Sequence, residues 1–228
     1  MLVPHLHDWP ATAAVAVALQ RRLAGRVDVS APPPHPVRLV AGCDISYDIG
    51  SPTLYAAVVV VELPSLAVVE RTVVRALAKF PYVPGLLSFR EAPPILDGFA
   101  RLRTPPDAVM LDGQGVAHPR RFGLACHLGL WLDRPCLGCA KSRLVGTHAE
   151  PGPAAGDATP LLVDGEEVGA VVRSAARAKP VFVSPGHRLD LGTAVAVVRA
   201  TLSGYRHPVP TRLAHMLANE ARAAGAAD

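Results

Sequence analysis

Aromatic residues are scarce. Phe, Trp and Tyr together make up 5% of the 228 residues, so a core has to be assembled from Val, Leu, Ala and Ile. Charged residues are few as well, 18% against 50% hydrophobic. A chain this apolar buries enough surface to offset its ordering entropy, which excludes disorder. No apolar run approaches the ~20 residues of a membrane-spanning helix; the longest, Leu54 to Val61, stops at Glu62. The first ten residues hold no Lys or Arg and no apolar stretch, so no signal peptide is read there. The four cysteines, Cys43, Cys126, Cys136 and Cys139, are accordingly expected to be reduced thiols in a cytoplasmic protein with no membrane contact. Lysine is the rarest cation, Lys79, Lys141 and Lys179 standing against 20 arginines. The net charge of +4 fits a polyanionic partner without establishing one. At this length a single domain over 1–228, acting as a monomer, is expected.

What is present reads as α/β. Asp8 and Pro10 signal a helix over Ala11 to Leu23, and a proline-rich linker follows from Ser30 to Pro36. Three strand-like runs come next, Val37–Tyr47, Leu54–Leu63 and Ala67–Arg75, separated by short turns that imply an antiparallel meander. Helix and strand then alternate: a helix from Ser88 to about Leu102, strand Ala108–Leu111, helix Arg120–Trp131 and strand Pro135–Ala140. A hairpin turning at Asp164-Gly165, a short strand Val181–Ser184, and two helices, Leu189–Leu202 and Pro210–Ala224, complete the pattern. A mixed central sheet with antiparallel first three strands, flanked by helices, is expected.

Two carboxylates stand out against this frame. Asp44 interrupts a run that otherwise reads as buried, Leu39 to Cys43, and Asp112 ends the strand Val109-Met110-Leu111 just before a glycine. A buried Asp is costly unless paired or bound to a cation, whereas a solvent-facing turn would explain either residue without function. If the first and fourth strands are neighbours, the two carboxylates meet. Glu91 has a competing local role, because Ser88-Phe89-Arg90-Glu91 matches a capping box. His215 fits equally well on an amphipathic helix. Hard oxygen donors in combination suit Mg²⁺ or Mn²⁺. Cys136 and Cys139 form a Cys-x-x-Cys pair, but Cys126 and His127 are the only further candidates for a zinc site and are badly placed for one, so buried free thiols are expected.

Five blocks, in order between Ala41 and Met216, resemble the endonuclease V family. They are Asp44 in the first strand; Pro81-Tyr82-Val83-Pro84-Gly85 through Glu91; Asp112-Gly113-Gln114-Gly115-Val116-Ala117-His118-Pro119-Arg120 with Gly123 to Gly129; Gly138-Cys139-Ala140-Lys141-Ser142; and Ser184 to Arg188 with Tyr205 to His215. The Gly138 to Ser142 block departs from the pattern, Cys139 standing where Val is more frequent in the family. The resemblance implies a ribonuclease-H-like fold and a divalent-metal endonuclease, using Mg²⁺ with Mn²⁺ able to substitute. It implies recognition of deaminated adenine (hypoxanthine, as deoxyinosine) in DNA and cleavage at the second phosphodiester bond 3′ to the lesion, leaving 3′-hydroxyl and 5′-phosphate ends. An inosine-specific ribonuclease and a non-catalytic inosine-binding protein are the alternatives.

Carried over by position, the resemblance implies metal ligation and catalysis by Asp44, Glu91, Asp112 and His215, with Lys141 as the site's lysine. Pro81, Tyr82, Val83 and Pro84 match the wedge that separates strands, Gly85, Gly113 and Leu144 the base-reading region, and His118 a residue beside the metal site. Arg120, Arg143, Arg188, Arg206 and Arg212, with Arg121, flank the blocks and are candidate phosphate contacts. Extruding a mispaired base costs less than extruding a paired one, which itself favours lesions.

Overall fold

The computed structural model of the chain describes residues 1–30, 32–33 and 35–225. Ala31 and Pro34 of the proline-rich linker lie outside them. β1 (Leu39–Ser46), β2 (Thr53–Glu62) and β3 (Ala67–Leu77) form the expected antiparallel meander. β4 (Ala108–Leu111) adds parallel to β1, and β5 (Cys136–Ala140) parallel to β4. The hairpin of β6 (Ala158–Val163) and β7 (Glu166–Val172) and the returning β8 (Val181–His187) complete one eight-stranded mixed sheet, ordered β3-β2-β1-β4-β5-β8-β7-β6. The hairpin turns at Asp164 and Gly165 with φ of 53° and 82°, the pair of positive values that a two-residue turn matching strand twist demands.

Among the described residues five helices cover the sheet: α1 (Ala13–Ala24), α2 (Leu87–Arg101), α3 (Leu124–Leu132), α4 (Leu191–Ala200) and α5 (Val209–Gly225). Side chains alternate across each strand, so the two faces build separate cores. Ala41, Val58, Val60, Val109 and Leu111 pack with α2 and α3, while Val40, Val59, Val61 and Met110 pack with α4 and α5. Central β2 is buried from Leu54 to Val61, which is why it reads as an unbroken apolar run. The same alternation settles the cysteines. Cys136 lies in one core and Cys139 in the other, so they cannot share a metal, and all four thiols are free and buried. No described helix is long and apolar enough to cross a membrane.

Several expected boundaries shift for identifiable reasons. α1 begins after Thr12, whose hydroxyl accepts the Val15 N–H, and not at Asp8. α3 begins at Leu124 because Arg121 takes a left-handed φ of 52° and breaks the expected run from Arg120. β8 runs three residues further than expected, to His187, while α4 is shorter at both ends. The capping box at Ser88 does not form: Leu86 is the N-cap, and the Ser88 hydroxyl is taken by a buried imidazole.

That imidazole belongs to a polar chain inside the apolar layer. The Ser88 hydroxyl donates to His127 Nδ1 (2.9 Å), and His127 Nε2 donates to His7 Nε2 (2.7 Å). Trp131 Nε1 also donates to His7 Nε2 (3.2 Å), and His7 Nδ1 donates to the Asp8 carbonyl (2.9 Å). One assignment of tautomers satisfies every ring nitrogen, and it requires both histidines neutral. Burial lowers both pKa values, so below the ordinary value of 6.5 the unfolded chain binds protons that the folded chain refuses. Stability is therefore complete above that pH and declines below it. Thermal midpoints should fall between pH 6.5 and 5, less steeply in His7→Phe; a profile level from pH 8 to 5 would show that the cluster does not govern acid stability.

Candidate active site

The parallel register of β1 and β4 sets Cys43 opposite Leu111, so the residues that follow, Asp44 and Asp112, emerge side by side at one edge of the sheet. Their side chains are 12% and 10% exposed. The expected meeting of the two strands occurs. Glu91, fifth residue of α2, comes to the same edge from the neighbouring layer and faces both aspartates. Burial pushes its carboxyl up to about 8, with repulsion from Asp44 and Asp112 adding to the shift. Asp44 is raised by burial and then by Asp112. Three mutually repelling carboxylates in a partly dehydrated cleft are a donor set suited to a hard divalent cation.

Two side-chain proton donors hold the aspartates, and the Ile45 N–H donates to Asp44 Oδ1 (2.9 Å) as well. Lys141, just past the end of β5, places Nζ 2.6 Å from Asp112 Oδ2. Burial works against its charge, but the carboxylate outweighs that and the pKa rises. His215 on α5 donates Nδ1–H to Asp44 Oδ2 at 2.6 Å. Among the described residues no three His, Cys, Asp or Glu side chains converge as a closed ligand set, and Lys141 and His215 each engage one oxygen of an aspartate.

α5 reaches β1 closely because Gly42 has no side chain: a Cβ there would sit 2.0 Å from the Pro210 carbonyl carbon. Strand and helix then pair polar residues in step. Asp44, Ser46 and Asp48 fall on one side of β1 and its extension, and His215, Asn219 and Arg222 on one side of α5. Ser46 Oγ donates to Asn219 Oδ1 (2.6 Å), Asn219 Nδ2 donates to His215 Nε2 (3.0 Å), and Arg222 pairs with Asp48. Both ring nitrogens of His215 are thereby engaged, Nδ1 with Asp44 and Nε2 with Asn219. Gly138 makes the corresponding close approach on the other side, where a Cβ would meet the Gly113 carbonyl oxygen at 2.3 Å. Gln114 Nε2 donates to the Ser142 carbonyl (2.9 Å) and keeps the Lys141 segment against the Asp112 turn.

A cavity of about 340 Å³ opens beside Asp112 and Lys141. Tyr82, Val83, Pro84 and Gly85 form one wall; Gly113, His118 and Leu144 contribute to the remainder. The structure thus gathers the sequence-selected wedge and base-reading residues around one space, with Pro81 exposed outside it. The wedge loop is braced through a single carbonyl. Gly85 O accepts from Gln20 Nε2 (3.0 Å), His118 Nε2 (3.1 Å) and Arg120 Nη2 (2.7 Å). His118 Nδ1 accepts the Arg120 N–H, and burial lowers the ring's pKa to about 4, so His118 is a neutral loop anchor.

The arginines divide. Arg120 is committed to Gly85 and Gln20, Arg121 to Glu166 (2.7 Å), and Arg206 to the carbonyls of Lys141, Lys179 and Pro180. Arg188 lies at the opposite end of the sheet, 2.8 Å from Asp133, because antiparallel β8 carries the chain away from the site. Arg143 is exposed near the cavity, and Arg212 lies 4.3 Å over the exposed Tyr205 ring. Asn219, Ser46, Gln20 and His207, whose ring is 6.3 Å from His215, were not singled out by sequence. The spacings 44–46–48 and 215–219–222 were visible, but nothing in the chain says that these two elements face each other.

Comparison with known proteins agrees with the blocks. The family model described as Endonuclease V matches residues 21–216. An endonuclease V of Gloeobacter violaceus is 50% identical over 96% of this chain and 90% of its own length. The crystal structure of an endonuclease V from Streptomyces avermitilis superposes with a TM-score of 0.90 at 43% identity, covering 96% of each chain. A Ciona intestinalis endonuclease V, crystallised with a 24mer DNA containing an inosine followed by a ribo-adenosine, aligns with a TM-score of 0.80 at 25% identity, over 91% of this chain and 96% of its own.

The Asn219 bond has a direct consequence. With its donor on Nε2, His215 is the Nδ1–H tautomer; Asn219→Ala removes that bias, and ¹⁵N NMR of the ring should show an Nε2–H population near neutral pH. An unchanged spectrum would mean that Asn219 does not set the tautomer. Matching over most of its length, with the sheet of the ribonuclease-H-like fold and with Asp44, Glu91, Asp112, Lys141 and His215 of the blocks brought together at one end of it, the chain belongs to the endonuclease V family.

Proposed function

We propose that this chain, as one nuclease domain, is a divalent-metal-dependent endonuclease for deaminated adenine in DNA. It would cut at the second phosphodiester bond 3′ to deoxyinosine and leave 3′-hydroxyl and 5′-phosphate ends. The observation that carries the reading is adjacency: a base-sized cavity shares Asp112 and Lys141 with the carboxylate cluster. A base held in the cavity puts its own strand beside the groups that would hydrolyse it. The Ciona intestinalis relative with inosine-containing DNA supports the same substrate class.

Asp44, Glu91 and Asp112 would hold Mg²⁺, or Mn²⁺ in its place, and their charge of about −3 suits one or two such ions with a phosphate. When bound, the cation supplies an activated water and offsets negative charge on the phosphate. The chain's own part is positional. His215 orients Asp44, held in turn by Asn219. Lys141, tethered to Asp112, lies where it can orient the attacking water or donate to a phosphate oxygen. Tyr82, 61% exposed between two prolines, fills the space left by the extruded base. Gly85, Gly113 and Leu144 line the cavity and offer peptide groups to the hypoxanthine edge. Arg143 and Arg212 are the arginines of the set placed for phosphate.

Asp112→Asn should lower cleavage of a deoxyinosine duplex at least 100-fold while binding persists, with wild-type product ends mapping one bond beyond the lesion's own 3′ linkage. Parallel inosine RNA substrates test the ribonuclease alternative. Cleavage of neither substrate, or undiminished cutting by the variant, would sink the assignment. A second expectation follows from Glu91. In the metal-free chain it keeps its proton up to about pH 8, and a cation displaces it, so metal binding should tighten from pH 6 to 8 and release a proton near pH 7. Calorimetry in two buffers of different ionisation enthalpy reads that proton. Its absence would remove Glu91 from the ligand set.

A further inference from the structure

Tyr82 borders a second groove, of about 510 Å³, whose other walls are Tyr47, Ile49, Pro52 and Arg90. Two of these side chains are unexplained by folding. Ile49 is completely exposed (102%) and Tyr47 partly so (37%), at the tip of the β1–β2 hairpin. The tip is built and anchored: the Ser51 N–H closes a turn on the Asp48 carbonyl (3.0 Å), and the Asp48 carboxylate is held by Arg222 of α5. Ile49 does not stand alone: with Tyr47 and Tyr82 it lines one groove, a contiguous apolar patch open to a partner. Arg90 supplies the complementary charge. Its guanidinium carbon lies 5.5 Å from the Tyr47 ring centroid, Nη1 donates to the Phe80 carbonyl (3.0 Å), and Nε has no acceptor. The one carboxylate at the tip, Asp48, is already neutralised by Arg222.

Flat aromatic and apolar surface beside a guanidinium suits a nucleotide, base on Tyr47 and Ile49, phosphate drawn by the charge of Arg90. Resting on the nuclease reading above, we infer that this groove binds the nucleotide 5′ to the lesion in the same strand. Covalent continuity carries the argument. Tyr82 is a wall common to the groove and to the base cavity, so a strand whose base enters one delivers its neighbour to the other. The side is set by the carboxylates: the bond to be cut lies 3′ to the lesion and must reach Asp44 and Asp112, while neither aspartate nor Lys141 lines this groove.

The test measures affinity by fluorescence anisotropy with Ca²⁺ in place of Mg²⁺. Oligonucleotides carry deoxyinosine, or deoxyadenosine as control, with the 5′ or the 3′ neighbouring base intact or replaced by an abasic analogue. The unaltered chain should lose about tenfold in affinity when the 5′ base is removed. The double variant Tyr47→Ser, Ile49→Ser should bind the intact oligonucleotide about tenfold more weakly and no longer respond to that base, with an unchanged melting temperature. Wild-type affinity in the variant would overturn the inference, and so would a variant that has lost its response to the 3′ base instead of the 5′. Loss of the preference for deoxyinosine over deoxyadenosine in the unaltered chain would indict the base-cavity reading instead, and is distinguishable on that ground.

Discussion

The parallel pairing of β1 with β4 is the constraint on which the site depends. It sets Cys43 beside Leu111 and brings Asp44 and Asp112 out together, where burial and the neighbouring carboxylates raise the cost of ionising Asp44 and Glu91. A slip of one residue in this register would turn Asp44 to the opposite face and Cys43 toward α5. The register is protected by burial on both faces: Val40 and Met110 are locked into one core, Ala41, Val109 and Leu111 into the other. Two apolar cores thus hold a like-charged cluster in a geometry it would not adopt unaided.

Around that cluster the fold places its polar groups in layers. Lys141 and His215 contact the aspartates directly; Asn219, Gln114 and Arg206 then hold the segments that carry those two residues. The wedge loop is organised the same way, through three donors on the Gly85 carbonyl. Several of these residues sit in or beside the blocks recognised in sequence and bond to backbone carbonyls. Motif membership and chemical role are separable here: His118 and Arg120 are anchors, and Arg188 is remote from the site altogether.

Much of the fold was legible because its signals are local. The meander appears in short turns between alternating runs, and β2 in eight apolar residues ending at Glu62. β4 matched to the residue, since a four-residue buried strand bounded by Pro106-Asp107 and Asp112-Gly113 leaves little freedom. The misreadings have long-range causes. The Ser88 hydroxyl lies in a sequence that matches a cap, but His127, 39 residues away, takes it. Arg120 sits in a helical pattern, but Arg121 must turn left-handed for the loop to reach His118 and Gly85. Local propensity yields where a buried partner offers a better bond.

By itself, then, the sequence determined the α/β class, the order of the elements, and the blocks that mark the family. Each depends on periodicity or on residue identity along a short stretch. The tertiary structure alone decided that α5 lies against β1 through Gly42, that Asn219 faces Ser46, that Arg206 grips the carbonyl of Lys141, and that Tyr82 stands between two grooves. The physical reason is distance along the chain. Such contacts join residues separated by tens to more than a hundred positions, and no local spacing encodes which buried face will meet which.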